Sequence, residues 1–451
     1  MPDTKENTQG DTTILRGRLL RFAGDPFEIG AEAALDYDED GALAMQGGMI
    51  VGVGPAGTVL ANHPEARVTH AGERLIAPGF VDCHVHYPQT GIIASHGAQL
   101  LDWLNSYTFP EEARFGNPAY ARAAARDYFD EQLRNGVTSA CSFCTIHPPG
   151  VDAYFEEAAR RGVRAVGGKV MMDRNAPEAL IDTAQSGYDD SKALIAKWHG
   201  VGRALYAITP RFAPTSTEAQ LEAAGALWAE HPDCPMQTHL AENHAEIAWV
   251  GALFPDCPDY LGVYEKYGLL GARAIFGHAI HLTPREVGRL AEVGASVAHC
   301  PTSNQFLGSG ECDVTGLMGR GVHVGLATDV GGGSSFSMFH TMKAAYEVAQ
   351  RRGVSLGPVH LWWLATQGAA RALGLGDRIG NLGVGLEADA VVLDLHSTPI
   401  LRHRMARAES IAEALFAQIV LADDRAVALT LSGGKVVYDG DESMAFGPGE
   451  T

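Results

Sequence analysis

The segment Ala77-Pro78-Gly79-Phe80-Val81-Asp82-Cys83-His84-Val85-His86 decides both the fold and the chemistry that we expect of this chain. Residues 75–81 are mostly apolar and contain Pro-Gly, which is typical of a loop that leads into a buried strand. His84 and His86 are two residues apart, so on a strand their side chains point to the same side. Because neutral imidazole is a common zinc ligand, this pair predicts half of a zinc site at a strand end.

Three later segments have the same character, since each ends a short apolar run and precedes a helical pattern. They are Gln237-Thr238-His239-Leu240-Ala241-Glu242, Phe276-Gly277-His278-Ala279 and Gly325-Leu326-Ala327-Thr328-Asp329. A catalytic zinc ion takes three or four protein ligands and keeps one position for water. We therefore predict one zinc ion per chain, held by His84, His86, His239 and Asp329.

Composition and charge limit the classes of partner. The 451 residues include 34 Lys+Arg and 54 Asp+Glu, a formal net charge of −20, which argues against a surface for nucleic acid or anionic membranes. No apolar run approaches the ~20 residues that cross a bilayer, and residues 1–12 are unlike a signal peptide. Seven scattered cysteines, including Cys141 and Cys144, suit a reducing compartment, and we interpret this pair as small buried residues. We expect a cytoplasmic protein.

The sequence contains two kinds of secondary-structure pattern. Residues 13–72 and the segments 389–394 and 426–438 contain short β-like runs separated by Gly and Asp, which predicts one small β-sandwich built from both ends of the chain. Between them, helical and strand patterns alternate: helices at 119–135, 151–161 and 217–230, and strands at 137–140, 163–171 and 236–240. This alternation over ~300 residues favours an α/β fold, a (β/α)₈ TIM-like barrel with its reactive groups at the carboxyl ends of the strands. We predict domain limits at 1–74, 75–384 and 385–451.

The chain resembles the amidohydrolase superfamily and, within it, the guanine deaminases. The resemblance rests on segments that span most of the chain, from Pro78 to Gln89, Leu100 to Pro110, Thr209 to Phe212, His239 to Asn243, His299 to Asn304 and Thr328 to Gly333. His-x-His marks only the superfamily, whereas the Trp103–Pro110 segment and the Pro-Arg-Phe turn are more specific. This resemblance implies the same barrel and terminal β-sandwich, and a single metal ion.

The resemblance also implies a reaction, the hydrolysis of guanine to xanthine and ammonia. Zinc would lower the pKa of water from ~15.7 toward ~7, and the resulting hydroxide would add to C2 of the purine. Glu242, three residues after His239, would protonate N3 as a general acid. Asp329 would accept the proton of the water and pass it to the leaving amine. His278 would hydrogen-bond the nucleophile and stabilise the developing charge.

Three residues are predicted to bind the purine, together with His239, Glu242 and Asp329. Gln89 offers a donor and an acceptor, Arg211 offers a rigid fork of donors for the carbonyl oxygen O6, and Phe212 can stack on the ring. Trp103 and Tyr107, four residues apart, line either a pocket wall or the core. Lys169 resembles the carbamylated lysine of two-metal relatives, but a single metal leaves it a structural role. The expected assembly is a homodimer.

Alternatives remain at this point. One is a related deaminase acting on cytosine, an adenosine-like compound or a triazine, and another is a scaffold that has lost its metal. Arg211, Phe212 and Gln89 argue against the first, and the complete ligand set argues against the second. A zinc enzyme of the cytidine deaminase type would need Pro-Cys-x-x-Cys after the His-Ala-Glu at residues 244–246, and that pair is absent from the sequence.

Overall fold

A computed structural model describes residues 12–96 and 100–440, except the side chain of Leu101. Eight barrel strands form two four-stranded parallel sheets. Their bounds are Phe80–Val85, Val137–Phe143, Arg164–Gly168, Ala204–Tyr206, Met236–Leu240, Ala274–His278, Ser296–His299 and His323–Leu326. A two-stranded parallel pair, Val170–Met171 and Thr209–Pro210, extends the strand ends near the site.

Backbone hydrogen bonds at two seams bring the two sheets together as one barrel. At one seam, Ile208 donates to Pro235 and accepts from Gln237, both at 2.9 Å. At the other, the Asp329 N–H donates to the His84 carbonyl at 2.9 Å and the His86 N–H donates to the Val330 carbonyl at 2.7 Å. The second seam therefore joins the backbones of His84 and Asp329 directly and joins His86 to Val330, the residue after Asp329.

The remaining strands form one seven-stranded sheet from both ends of the chain. Its order is Lys435–Asp439, Val427–Ser432, Ala390–Leu393, Arg67–Pro78, Thr13–Phe22, Leu35–Gln46 and Met49–Pro55. The turns at its two ends approach each other, since a Cβ on Gly48 would lie 3.4 Å from the Gly433 carbonyl oxygen. The sheet therefore curls around a shared core, which includes Leu15, Leu43 and Leu431.

Helices cover the barrel and complete the chain. The α-helices span Pro26–Ile29, Ala31–Ala34, Ala56–Asn62, Leu100–Trp103, Phe109–Glu112, Pro118–Arg134, Pro148–Arg161, Ala184–Trp198, Glu218–Glu230, His244–Leu253, Tyr260–Lys266, Pro284–Val293, Pro301–Phe306, Val314–Met318, Met338–Arg351, Pro358–Leu364, Gln367–Ala372, Pro399–Met405 and Ile411–Leu421. Within the described residues, no helix combines the length and hydrophobicity needed to cross a lipid bilayer.

The predicted α/β barrel is confirmed, and most of the predicted elements lie where the sequence placed them. The helix expected at 119–135 spans Pro118–Arg134, and Gly136 after it has a φ of 76°, as a left-handed helix end requires. The expected loop at 75–81 is wrong, because the strand Arg67–Pro78 continues through Leu75 and pairs with Ala390–Leu393. Only Gly79 separates this strand from the next, so the terminal sheet extends past residue 74. The domain limits themselves stay predictions.

Candidate metal centre and purine pocket

The predicted metal ligands meet at the carboxyl end of the barrel. His86 Nε2 lies 3.2 Å from His239 Nε2. Asp329 Oδ1 lies 3.3 Å from His84 Nε2 and 3.4 Å from His86 Nε2. His84, His86 and Asp329 are all buried. The structure thus brings four side chains from three places in the sequence to a single point.

The hydrogen bonds of these side chains leave their site-facing nitrogens available to a cation. His239 Nδ1 donates to the Arg211 carbonyl at 2.7 Å, so a neutral His239 directs the lone pair of Nε2 toward His86. His84 Nε2 is buried and faces Asp329 Oδ1 at 3.3 Å. Such nitrogens, with a carboxylate beside them, match the donors that zinc prefers.

Burial also sets the protonation states that a metal site needs. It lowers the pKa of His84, His86 and His239, which favours the neutral, metal-binding form of each ring. Burial alone would raise the pKa of Asp329, but its hydrogen bond and charge interaction with His84 lower that pKa to about 2. The site therefore offers neutral imidazoles and an ionised carboxylate.

Glu242 and His278 lie beside this centre. His278 Nε2 is 3.4 Å from Glu242 Oε2 and 3.8 Å from Asp329 Oδ2, and Ser309 Oγ donates to Glu242 Oε1 at 2.8 Å. Burial raises the pKa of Glu242, which suits a group that must deliver a proton near neutral pH. Burial lowers the pKa of His278, but the charges of Glu242 and Asp329 outweigh it and raise that pKa overall.

Backbone strain is concentrated around the same groups. Among the described residues, six non-glycine positions have positive φ, and four of these lie at the site: Ala241, His278, Ala279 and Asp329. L-residues rarely adopt this conformation, and it persists where the surrounding structure enforces it, often at functional sites. The strained backbone therefore supports the same location for the functional site as the convergence of the side chains does.

A pocket of about 430 Å³ opens beside the metal centre and contains the predicted purine-binding residues. Gln89, Arg211 and Phe212 line it together with Trp103, whereas Tyr107 is not among its lining residues. The Phe212 ring lies edge-on to His239, with 6.3 Å between the ring centroids. One wall is therefore polar and another is aromatic and apolar, as a planar heterocycle with polar edges requires.

Glu112 is a pocket-side carboxylate that the sequence analysis missed. It is 1% exposed, and it accepts from Gln89 Nε2 at 2.8 Å and from Arg211 Nη1 at 2.6 Å. It follows another glutamate in the short helix Phe109–Glu112, so no sequence signal separates the two.

Two other polar residues, Asn304 and Glu246, support the site without a role in the sequence analysis. Asn304 Oδ1 lies 2.8 Å from His278 Nδ1, and its position in the His299–Asn304 motif could have identified it. Glu246 accepts from the Glu242 backbone N–H at 2.9 Å and from the Tyr260 hydroxyl at 2.7 Å. Its place three residues after the helix cap Asn243 explains part of this pattern.

Two further potential metal ligands, Lys169 and Cys300, are both buried. Lys169 is buried and donates to Asp182 at 2.5 Å, so its amine is held in an ion pair. Cys300 is a possible additional donor, because its Sγ lies within 4.8 Å of ligand atoms of His84, His278 and Asp329. Burial keeps the pKa of this thiol well above its usual value, which favours the protonated form that binds metals poorly.

Comparisons with known proteins agree with this geometry. The family model described as "Amidohydrolase family" matches residues 75–437. The chain belongs to the amidohydrolase family. A second model, described as an imidazolonepropionase-like composite domain of bacteria, matches residues 41–66.

Individual relatives cover nearly the whole chain. A guanine deaminase of Escherichia coli K12 is 45% identical over 436 residues, which are 95% of this chain and 99% of the relative. A solved structure of E. coli guanine deaminase superimposes with a TM-score of 0.93 at 43% identity, covering 95% of this chain and all of that one.

Two other solved structures contain bound groups. A guanine deaminase from C. acetobutylicum, solved with guanine in its active site, has a TM-score of 0.87 at 27% identity and covers 95% of this chain and 100% of that one. An adenosine deaminase from Xanthomonas campestris, solved with bound zinc, has a TM-score of 0.80 at 25% identity and covers 94% and 92%. Family membership and a guanine deaminase resemblance are therefore both established.

Proposed function

We propose that this chain is a zinc-dependent guanine deaminase, which converts guanine and water to xanthine and ammonia. One observation carries the proposal: a single pocket joins a converging set of metal donors to a wall of hydrogen-bond donors. The relatives named guanine deaminase support the choice of substrate, because they match nearly the full length of the chain.

We assign one zinc ion to His84, His86, His239 and Asp329. Their neutral ring nitrogens and ionised carboxylate fit zinc, and the buried Nε2 atoms of His84 and His86 both face Asp329 Oδ1. When bound, zinc would increase the acidity of water, so that hydroxide is available near neutral pH. The zinc bound by the related adenosine deaminase is consistent with this choice of metal.

Glu242 is the proton carrier in this proposal. Its raised pKa keeps a proton available, and the Ser309 hydroxyl holds Oε1 while Oε2 faces His278. Glu242 would protonate N3 of guanine as the oxygen of water adds to C2. Asp329 would accept the proton that the water loses, and that proton would leave with the C2 amino group as ammonia. The proton of the hydroxyl left on C2 would return to Glu242 as the C2 carbonyl of xanthine forms.

His278 would stabilise the charge that develops at C2. Asn304 Oδ1 lies 2.8 Å from His278 Nδ1, and because an amide oxygen only accepts, the Nδ1–H donates to it. The other nitrogen, Nε2, is thereby directed at the space between Glu242 and Asp329. A group held in this way needs little reorganisation when charge develops beside it.

Guanine would bind with its polar edge toward Gln89 and Arg211 and its face against Phe212. Arg211 has four N–H donors besides the one bonded to Glu112, and these suit the carbonyl oxygen O6. Phe212 is buried and lines the pocket, so it can contact the apolar ring face.

A substrate panel tests the proposal. The zinc-loaded protein is incubated with guanine, cytosine, adenosine and an aminotriazine, and ammonia is measured together with the absorbance of each ring. We expect release of ammonia from guanine with xanthine as the only purine product. Faster turnover of another ring would show that guanine is not the preferred substrate. Absence of turnover on all four compounds would favour the alternative of a non-catalytic scaffold.

The finer biological assignments also belong to this proposal. We place the enzyme in the breakdown or salvage of purines, in the cytoplasm, as a homodimer. Light scattering of the purified protein at several concentrations checks the assembly, with a mass of twice the 47.9 kDa chain expected.

A further inference from the structure

Glu112 is the charged group that holds the two predicted purine-reading side chains. Its oxygens are divided between them, since Oε1 accepts from Gln89 and Oε2 accepts from Arg211. These residues come from three separate places: the turn Tyr87–Ile92, the helix Phe109–Glu112 and the segment after Thr209–Pro210. Glu112 therefore fixes the relative position of two groups that the barrel alone does not connect.

The contacts of Gln89 determine which way its amide faces. An ionised carboxylate only accepts hydrogen bonds, so the Gln89 NH₂ group must face Glu112. The Gly331 backbone N–H donates to Gln89 Oε1 at 3.3 Å, which requires the oxygen on that side. If the amide were flipped, its oxygen would face the Glu112 carboxylate and its NH₂ group would face the Gly331 N–H. One N–H of Gln89 remains for a ligand.

The same carboxylate balances the charge of Arg211. Both side chains are almost fully buried, at 3% exposed for Arg211 and 1% for Glu112. A buried guanidinium without a partner is costly and would attract anions into the pocket. Because Glu112 pairs with it, the wall has no net formal charge but still presents N–H donors.

We propose that Glu112 is a specificity-determining positioning residue, which holds Gln89 and Arg211 as a neutral wall of donors for an uncharged ring that carries a carbonyl oxygen. This inference rests on the proposed function, because it names what the same pocket selects. Glu112 acts through its two partners. A purine without that oxygen would leave buried donors unpaired, and such a mismatch carries an energetic penalty.

Glu112→Gln is the test, because glutamine keeps the shape but can accept from only one of the two donors. Its NH₂ group would then face either Gln89 or Arg211, donor against donor. We expect KM for guanine to rise roughly 10- to 100-fold, with a smaller change in kcat, because the reacting groups are untouched. The ratio of kcat/KM for guanine to kcat/KM for 2-aminopurine, which lacks the oxygen, should decrease.

Glu111→Gln is the matched control. Glu111 is the preceding residue of the same helix and is also buried, but it bonds Arg114 and Tyr120 instead of the pocket side chains. This variant should keep the wild-type substrate ratio. Glu112→Asp keeps the charge but withdraws it by one methylene, so we expect an intermediate KM, and it serves as the second variant if Glu112→Gln does not fold.

The outcomes separate this inference from the proposed function. Wild-type protein that does not deaminate guanine contradicts the proposed function itself. Wild-type turnover with an unchanged substrate ratio in Glu112→Gln contradicts the role of Glu112, even if the variant melts at a lower temperature. Zinc content is measured for each variant. A decreased ratio of kcat/KM for guanine to kcat/KM for 2-aminopurine in fully metal-loaded Glu112→Gln supports the inference.

Discussion

Glu242→Gln tests the assignment of Glu242 as the proton carrier. Glutamine keeps an oxygen that accepts from Ser309, whose Oγ lies 2.8 Å from Glu242 Oε1. Its NH₂ group would face His278 Nε2, which lies 3.4 Å from Oε2 in the native protein. The substitution removes the Glu242 charge, one of the causes that raise the pKa of His278. A neutral His278, with its Nδ1–H donating to Asn304, can then accept from this NH₂ group at Nε2. The variant should therefore fold and keep its hydrogen bonds.

The expected loss follows from the proton that glutamine cannot transfer. Positioned general acids contribute ~10²–10⁴-fold, so turnover of guanine should fall by that factor, about 2.7–5.4 kcal/mol of transition-state stabilisation. Stability should change little, since a buried carboxyl with a raised pKa is replaced by a neutral isostere.

The assay is single-turnover and steady-state release of ammonia, with zinc content and melting temperature measured on the same samples. Ser309→Ala is a graded control, because it removes one hydrogen bond to Glu242 but leaves the proton, and we expect about a tenfold loss. Turnover within tenfold of wild type in fully metal-loaded Glu242→Gln would refute the role of Glu242 as proton carrier.

Two further predictions concern specificity and pH. Arg211→Met should strongly lower kcat/KM for guanine and decrease the ratio of kcat/KM for guanine to kcat/KM for 2-aminopurine. An unchanged ratio would show that Arg211 does not recognise the carbonyl oxygen. Burial and the charge of Glu242 raise the pKa of Glu246 from 4.5 to about 7, so the folded protein binds this proton more tightly than the unfolded chain. The free energy of unfolding should therefore decrease as pH rises from about 4.5 to about 7. Urea unfolding at both ends of this range should show a smaller decrease in Glu246→Gln, and an equal decrease would contradict the buried, protonated state.

Sequence patterns predicted the barrel well because its signals are local. The apolar run at residues 236–240 corresponds to the strand Met236–Leu240, and Gly136 marks the end of a helix through its own backbone conformation. The prediction at 75–81 failed for an equally local reason. Pro78-Gly79 resembles a loop, but here it separates two strands that belong to different sheets.

The contacts within the site were less predictable than its members. His84, His86, His239 and Asp329 could be chosen because each lies at or near the end of a strand pattern, and strand ends meet in a barrel. Glu112 could not, because Glu111 and Glu112 are chemically identical neighbours in a four-residue helix. Only the tertiary fold brings Glu112 to Gln89 and Arg211, whereas Glu111 pairs locally with Arg114, three residues further on.

A zinc titration of the metal-free protein with guanine as substrate tests the central claim most directly. Ammonia and xanthine are measured after each addition of zinc, with bound metal determined by elemental analysis. The account predicts that activity increases in proportion to zinc and stops increasing at one ion per chain. Activity that needs two tightly bound ions would contradict the single-metal site and make Lys169 a candidate ligand. A protein that binds zinc but leaves guanine unchanged would contradict the proposed reaction.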